Sequence, residues 1–398
     1  MAGNVLTGAD RLALGQDRIA AGKRIGLLTN PTGIASDFRS TIDICAALPD
    51  AQLTALYACE HGIRGERQAG LLFEDETDAG TGLPVYSLYG VHRKPTAAML
   101  ENVDAVVFDI QDLGVRFYTY LTTLVYVMQA CAEHGKEVIV LDRPNPTGGY
   151  EVEGGFLEDA FHSMVGAWRV PYRTGLTIGE FATLVQAQMD KPCRLHVVRL
   201  SGWEPKMEYP DTGLPWLPPS PNMPTMDTVR VYAGNCLFEG TNLSEGRGTT
   251  KPFEMVGAPW LQAEKLAKRL NGLKLPGAVF HPVTFTPMFS KHQGALCNGL
   301  QLFVTDRSAF RAVSASLHLL HHLIDMHADD FVWLLPQKRE NSDAKCFIDI
   351  LSGSDVVRRT LHEQAGLAAI LERYEEDERV WRKMREPFLL YEREAGHA

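Results

Sequence analysis

Short runs of β-branched and other apolar residues alternate with helical stretches over the first half of the chain. The apolar runs predict strands at 24–30, 53–60, 84–90, 104–112, 137–144 and 193–200. The stretches between them predict helices at 40–48, 120–135 and 177–189, and Thr177 with Glu180 has the spacing of a capping box. Alternating strands and helices are typical of βα units around a mostly parallel sheet. The sequence therefore predicts an α/β fold.

The pattern changes in the second half. Residues 205–224 are rich in proline and lack periodicity, which predicts a long ordered loop of a kind that is often functional. Beyond it we predict helices at 261–271, 308–327, 354–371 and 375–387, and strands at 278–286 and 300–305. A chain of 398 residues exceeds the size at which one hydrophobic core usually stops growing. We predict two domains, 1–255 and a smaller α+β domain at 256–398.

The composition of the chain argues against several classes of partner and indicates a compartment. A net charge of −10, with no Lys/Arg-rich block, argues against nucleic acid or an anionic membrane as partner. No segment approaches the roughly 20 apolar residues that cross a bilayer, and the first residues lack the pattern of a secretory signal. Seven widely spaced cysteines favour a reducing compartment over a disulfide framework. We expect a cytoplasmic protein, or a periplasmic or secreted one if a signal has been removed.

Polar side chains follow four of the predicted strands. They are Asn30, Glu60 with His61, Asp109 to Asp112, and Asp142 to Asn145. In open parallel sheets, ligands bind outside the carboxyl ends of the strands. Asp and Asn are also common turn and N-cap residues, so local structure explains each strand end taken alone equally well. Four together favour a binding site.

Glu60 is the strongest candidate for a catalytic residue among these positions. A carboxyl group at the rim of an apolar strand is poorly solvated, which favours its protonated form and suits a general acid. His61 beside it could position a ligand, and Gly62 and Gly65 would let the backbone approach that ligand closely. The competing interpretations are a surface carboxylate at a turn and a hydrogen-bonded structural imidazole.

The segment 109–120 combines carboxylates, an arginine and tyrosines. Asp109 or Asp112 could be the second carboxylate that glycoside hydrolysis usually requires. Arg116 could pair with a substrate carboxylate, and Tyr118 could stack on a ligand or donate a hydrogen bond. An internal Asp112–Arg116 salt bridge explains the same residues as well.

Several familiar chemistries are not supported. The Gly-rich stretch at 239–252 lacks the P-loop arrangement, no GxGxxG follows the first strand, and no GxSxG occurs. His318, His321 and His322 share a helical face, yet without an HExxH motif a solvated or partly buried face is the better interpretation. We predict no cofactor and no metal site.

Seven motifs together resemble the NamZ (YbbC-like) family of exo-β-N-acetylmuramidases. In chain order they are VLTGADRL, GLLTNPTG, ACEHGIRGERQAG, DIQDLGVRFYTY, LDRPNPTGG, SPNMPT and FEGTNLSEGRGTTKPFE. The resemblance implies a Rossmann-like catalytic domain with a smaller C-terminal domain. It also implies release of N-acetylmuramic acid from the non-reducing ends of peptidoglycan fragments, with Glu60 of the Glu-His-Gly motif as the catalytic glutamate.

The remaining site residues follow from that resemblance. Asp109, Asp112 and Glu245 stay open as the second catalytic group, and the acetamido group of the substrate could replace an enzymic nucleophile. The lactyl carboxylate of the sugar calls for a fixed cation, which a guanidinium matches bidentately. The proposed cations are Arg64, Arg116, Arg143 and Arg247, and the other proposed contacts are Asn30, His61, Tyr118, Asn145, Asn222 and Asn242.

Two other function classes remain open at this point. A muropeptide-binding protein could use the same crevice without chemistry. A metal-dependent amidase or deacetylase built on His61, Asp109 and Asp112 is the weaker alternative, because the spacing of these ligands is not diagnostic.

Overall fold

A mostly parallel seven-stranded sheet organises the computed structural model, which describes residues 5–68, 70–335 and 345–393. The strand order is β3-β4-β2-β1-β5-β6-β7, and β3 alone runs antiparallel to its neighbour. These strands are β1 (Arg24–Thr29), β2 (Gln52–Ala58), β3 (Glu76–Thr77), β4 (Pro84–Ser87), β5 (Ala105–Asp109), β6 (Glu137–Leu141) and β7 (Arg194–Val198).

Helices cover both faces of the sheet, which is why its central strands are almost entirely apolar. Side chains alternate along β1: Leu27 joins the core beneath the first two helices, whereas Leu28 joins the core beneath the next two. These helices are α1 (Gly8–Ala13), α2 (Thr41–Ala46), α3 (Thr119–His134) and α4 (Ile178–Gln188). The Thr177–Glu180 capping box at the start of α4 is present. The predicted Rossmann-like α/β fold is confirmed.

A small antiparallel sheet and a group of helices form the rest of the molecule. The sheet has the order β8-β10-β9. Its strands are β8 (Met255–Ala258), β9 (Ala278–Phe285) and β10 (Cys297–Val304). The helices are α5 (Met226–Asn235), α6 (Ala263–Gly272), α7 (Ala312–Met326), α8 (Phe347–Ser352), α9 (Val356–Thr360) and α10 (Gln364–Arg385). The predicted smaller α+β part is confirmed, and the domain division near residue 255 stays a prediction.

The prediction of these helices was wrong in two respects. Helices α5 and α8 were not predicted. The predicted break between residues 371 and 375 does not exist, because α10 runs without interruption to Arg385, and the chain is interrupted instead between α9 and α10, inside the predicted helix 354–371. Leu367, Ile370, Tyr374 and Trp381 are buried at helical spacing, so one apolar face continues through residues 372–374. Within the described ranges, no helix is long and apolar enough to pass through a bilayer.

The histidines of α7 give the stability a pH dependence. His321 and His322 are each only 9% exposed, and the His321 Nδ1–H donates to the Leu361 carbonyl at 2.8 Å. Burial, reinforced by Arg269 and by the neighbouring histidines, lowers the pKa of His322 from 6.5 to about 4. The folded state therefore binds a proton at His322 less readily than the unfolded state does.

We expect His322 to destabilise the fold in mild acid. The free energy of unfolding is unaffected by His322 above about pH 6.5, where the residue is neutral in both states. It falls as the pH drops from there towards 4, because only the unfolded state then binds the proton. Replacing His322 with Gln should flatten the fall in urea-denaturation midpoint between pH 7 and pH 4.5. The exposed His162, changed to Gln, provides the control. An equal pH slope in wild type and His322→Gln would contradict the prediction.

Candidate functional site

A cavity of about 530 Å³ opens beyond the carboxyl end of β2, between the parallel sheet and the C-terminal half. Glu60 and His61 reach it directly after β2, and Tyr118 to Tyr120 reach it at the start of α3. Residues after α5 and in the β9–β10 connection form the opposite wall. The volume lies within the range of sites that enclose one small ligand.

The carboxyl group of Glu60 is held at both oxygens. The Thr119 hydroxyl donates to Oε2 at 2.8 Å, and the Gly70 backbone N–H donates to Oε1 at 2.9 Å. Tyr89 lies next to it, and burial together with the charge of Glu60 raises the pKa of the Tyr89 hydroxyl. Glu60 is therefore fixed in orientation while it faces the cavity, as a proton donor requires.

His61 is fixed by the tight turn that follows β2. Its φ of 74° lies in the left-handed region, as do those of Gly62 and Gly65. A Cβ on Gly65 would lie 2.8 Å from Pro31 Cγ, so close packing also requires glycine there. The His61 Nδ1–H donates to the Arg67 carbonyl at 2.7 Å, which sets the ring orientation and directs Nε2 away from that bond.

Four charged side chains form a cluster on the opposite wall. Arg247 lies 3.2 Å from Glu239 and 3.2 Å from Glu245, and Lys291 lies 2.7 Å from Glu245. Burial raises the pKa of Glu239, although Arg247 opposes the shift. The cluster carries two carboxylates and two cations, so it adds no net charge to the cavity.

Aromatic rings line the floor between the two walls. Tyr118 packs edge-to-face against Tyr120 and Tyr232, with ring centroids 4.8 and 5.9 Å apart, and Tyr232 packs in the same way on Phe253. Asn222 also lines the cavity and is 6% exposed. Apolar rings beside isolated polar groups suit a sugar, which presents C–H faces and hydroxyl edges.

Asp109 and Arg143 lie at the centre of the sheet, away from the cavity wall. Arg143 Nε lies 2.6 Å from Asp109 Oδ1, and its Nη2 lies 2.9 Å from Oδ2. The Thr41 hydroxyl also donates to Asp109. Asn30 is likewise buried, and its amide donates to the Tyr120 hydroxyl and to the Pro219 carbonyl, each at 3.2 Å. Asn30 thus meets the cavity only through Tyr120.

Asp112 and Arg116 do not form the ion pair considered from the sequence. The Gly114 N–H donates to Asp112, and burial raises the pKa of the Asp112 carboxyl to about 7. Arg116 donates to three backbone carbonyls, of Gly155, Val170 and Leu351, at 2.8 to 3.0 Å. Neither side chain lines the cavity. Arg116 instead ties the segment after β5 to the connection between β6 and α4 and to helix α8.

Three further predicted contacts also lie elsewhere. Arg64 pairs with Asp78 at 2.7 Å near the surface. The Asn145 amide donates to the Leu176 carbonyl at 2.9 Å, and the Asn242 amide donates to the Asp330 carbonyl at 2.8 Å. Of the predicted site residues, the structure brings six to the cavity: Glu60, His61, Tyr118, Asn222, Glu245 and Arg247.

The cavity residues that were not predicted include three ionisable side chains next to Glu60, Arg247 or Glu245: Tyr89, Glu239 and Lys291. Glu239 is the second residue of the FEGTNLSEGRG motif, so its closeness in sequence to Glu245 and Arg247 could have indicated it. Tyr89 follows the end of β4, which neighbours β2 in the sheet. Lys291 lies in the β9–β10 connection, where nothing in the sequence indicates proximity to Glu60. Within the described segments, no three His, Cys, Asp or Glu side chains are arranged to hold a metal ion.

Comparison with known proteins places the chain in one family. The family models for the N-terminal and C-terminal parts of exo-β-N-acetylmuramidase NamZ match residues 25–227 and 230–391. The peptidoglycan β-N-acetylmuramidase NamZ of Bacillus subtilis (strain 168) is 45% identical over 387 residues, which are 97% of this chain and 91% of that protein.

Solved structures agree with this match. A DUF1343 family protein from Bacteroides fragilis NCTC 9343 is 37% identical, with a TM-score of 0.89 over 98% of this chain and 99% of that one. A second DUF1343 protein from the same organism is 28% identical, with a TM-score of 0.76 over 98% and 99%. The chain belongs to the NamZ family of exo-β-N-acetylmuramidases.

Proposed function

We propose that this protein is an exo-acting glycoside hydrolase that releases N-acetylmuramic acid from the non-reducing ends of peptidoglycan fragments, with Glu60 as general acid. The observation that carries the proposal is the fixed Glu60 carboxyl group at the wall of a cavity sized for one sugar. The similarity to the Bacillus subtilis β-N-acetylmuramidase supports the same reaction and substrate class.

Protonation of the leaving group is the role that suits Glu60. As the bond between the anomeric carbon and the glycosidic oxygen breaks, the oxygen gains negative charge and takes the proton of the Glu60 carboxyl group. The Thr119 hydroxyl and the Gly70 N–H then donate to the carboxylate that remains. The same two donors orient the acid beforehand and stabilise its conjugate base afterwards.

Recognition of the lactyl carboxylate falls to the opposite wall in this proposal. Of the four arginines considered, Arg247 alone lines the cavity, since Arg64 and Arg143 pair with aspartates elsewhere and Arg116 binds backbone carbonyls. Lys291 is a second cation of the same wall. The lactyl carboxylate of the sugar would bind the guanidinium of Arg247, which Glu239 and Glu245 already orient.

The compartment is part of the proposal. All seven cysteines are buried free thiols, which supports a reducing compartment, and we place the enzyme in the cytoplasm, where it would degrade fragments taken up from the wall.

A chromogenic N-acetylmuramide and a muropeptide-derived glycan test the function together. We expect release of the chromophore from the first, and stepwise release of free N-acetylmuramic acid from the non-reducing end of the second. The matching N-acetylglucosaminide, which lacks the lactyl group, should be cleaved at least tenfold more slowly. Saturable binding without release would favour the muropeptide-binding alternative, and release of peptide or acetate would favour the amidase or deacetylase. Either result would refute the proposal.

A further inference from the structure

We propose that Glu239 is the second catalytic carboxylate of this site, acting as general base from the wall opposite Glu60. The inference rests on the proposed function, because it names a partner for Glu60 in the same reaction. Three glutamates line the cavity among the described residues, and Glu239 is one of them.

The two carboxylates come from different walls. Glu60 follows β2 of the parallel sheet, whereas Glu239 follows α5 in the C-terminal half. Tyr89 lies within electrostatic reach of both, since the charges of Glu60 and Glu239 each contribute to raising the pKa of its hydroxyl group, after burial. A sugar in the cavity would thus lie between an acid on one side and a second carboxylate on the other, as glycoside hydrolysis requires.

Glu245 is less suited to the role, although it lines the same wall. Its side chain is 2% exposed, and it is held by two cations, Arg247 at 3.2 Å and Lys291 at 2.7 Å. Lys291 also donates to the carbonyls of Phe238 and Thr241, at 2.8 and 2.9 Å. Glu245 and Lys291 therefore fix the backbone on which Glu239 stands, and we assign them a positioning role.

Glu239 keeps an oxygen that is only weakly engaged. Its Oε2 pairs with Arg247, whereas its Oε1 accepts a hydrogen bond from the Cys236 thiol at 3.4 Å, a weak donor. The side chain is 21% exposed. Asp109, by contrast, has both oxygens bonded in the sheet interior, and Asp112 does not line the cavity. We place neither aspartate in the reaction.

In this mechanism, hydrolysis of the glycosidic bond is a single displacement. A water oxygen forms a bond to the anomeric carbon while the bond to the glycosidic oxygen breaks. Glu239 Oε1 takes one proton from that water, and Glu60 gives its proton to the departing oxygen. The products are a free sugar of inverted configuration and the shortened glycan, and solvent returns a proton from Glu239 to Glu60.

Azide rescue of the Glu239→Ala variant tests this role. The variant should lose about 10²- to 10⁴-fold in kcat on an aryl N-acetylmuramide. Azide needs no base, so it should restore turnover and yield the α-glycosyl azide. Wild type should release the α anomer first, as seen by NMR. Glu245→Gln is the matched control: it should lower activity and thermal stability, with no rescue by azide.

The outcomes separate this inference from the function itself. An inactive wild type would refute the proposed function, whereas an active wild type with near-normal Glu239→Ala would refute only the role of Glu239. Loss of activity without azide rescue, in a variant whose unfolding temperature matches wild type, would also refute it. A β anomer as first product would overturn the base mechanism.

Discussion

Replacement of Glu60 by glutamine should lower turnover about 10²- to 10⁴-fold on a substrate whose leaving group is a sugar. Glutamine has the same shape and can still accept the Gly70 N–H, but it has no proton to give. The leaving oxygen of a sugar is a strong base and needs that proton, whereas a nitrophenolate does not. The loss should therefore be several-fold smaller with a nitrophenyl N-acetylmuramide, a difference that steady-state kinetics on both substrates measures.

The control for this variant lies six residues away. Glu66→Gln makes the same chemical change at an exposed carboxylate that pairs with Arg67 outside the cavity, and it should keep wild-type kinetics. Both variants should unfold at the wild-type temperature, because Glu60 stands at the cavity surface. Equal losses on the two substrates would argue against proton donation, and near-normal turnover of the sugar substrate would exclude Glu60 as the acid.

Most of the parallel sheet could be predicted from the sequence because its strands are buried on both faces. Runs such as AVVFD in β5 are apolar at every position before the final aspartate, which leaves little room for another assignment. Helix α5 was harder, because residues 226–235 mix Asp227, Arg230 and Asn235 with few large apolar side chains. Its stability comes from packing on α7, where the Ser316 hydroxyl donates to Asn235 Oδ1 at 2.6 Å.

The strand pattern alone could predict only the part of the site at the strand ends, whereas Asn222, Glu245 and Arg247 were predicted from the family motifs. Glu60, His61 and Tyr118 follow strands or precede a helix of the sheet, and the rule that ligands bind at carboxyl ends of strands applies to them. That rule could not tell four strand ends apart. The structure distinguishes them. At the ends of β5 and β6, Asp109 and Arg143 pair with each other, and the cavity lies at the end of β2.

Arg143→Met should cost about 3–5 kcal/mol of folding free energy, because it leaves Asp109 buried without its counter-charge. Asp109 is fully buried and Arg143 is 4% exposed, so water cannot solvate the remaining carboxylate. The variant also loses the Arg143 donation to the Ile34 carbonyl at 2.9 Å. Urea denaturation measures the change, and Arg39→Met, which breaks an exposed pair with Asp37, should cost no more than about 1 kcal/mol.

The double variant Arg143→Met/Asp109→Leu shows whether the buried ion pair adds net stability or whether each charge only compensates the burial of the other. If the single variant fails because one charge is left uncompensated, removing both charges should recover at least half of the loss, and the two substitutions will not be additive. Additive losses would mean instead that each side chain contributes through its own contacts, Arg143 with Ile34 and Asp109 with Thr41. The coupling energy of this cycle therefore tests whether the polar groups at the ends of β5 and β6 are a structural ion pair, distinct from the proposed active site at the end of β2.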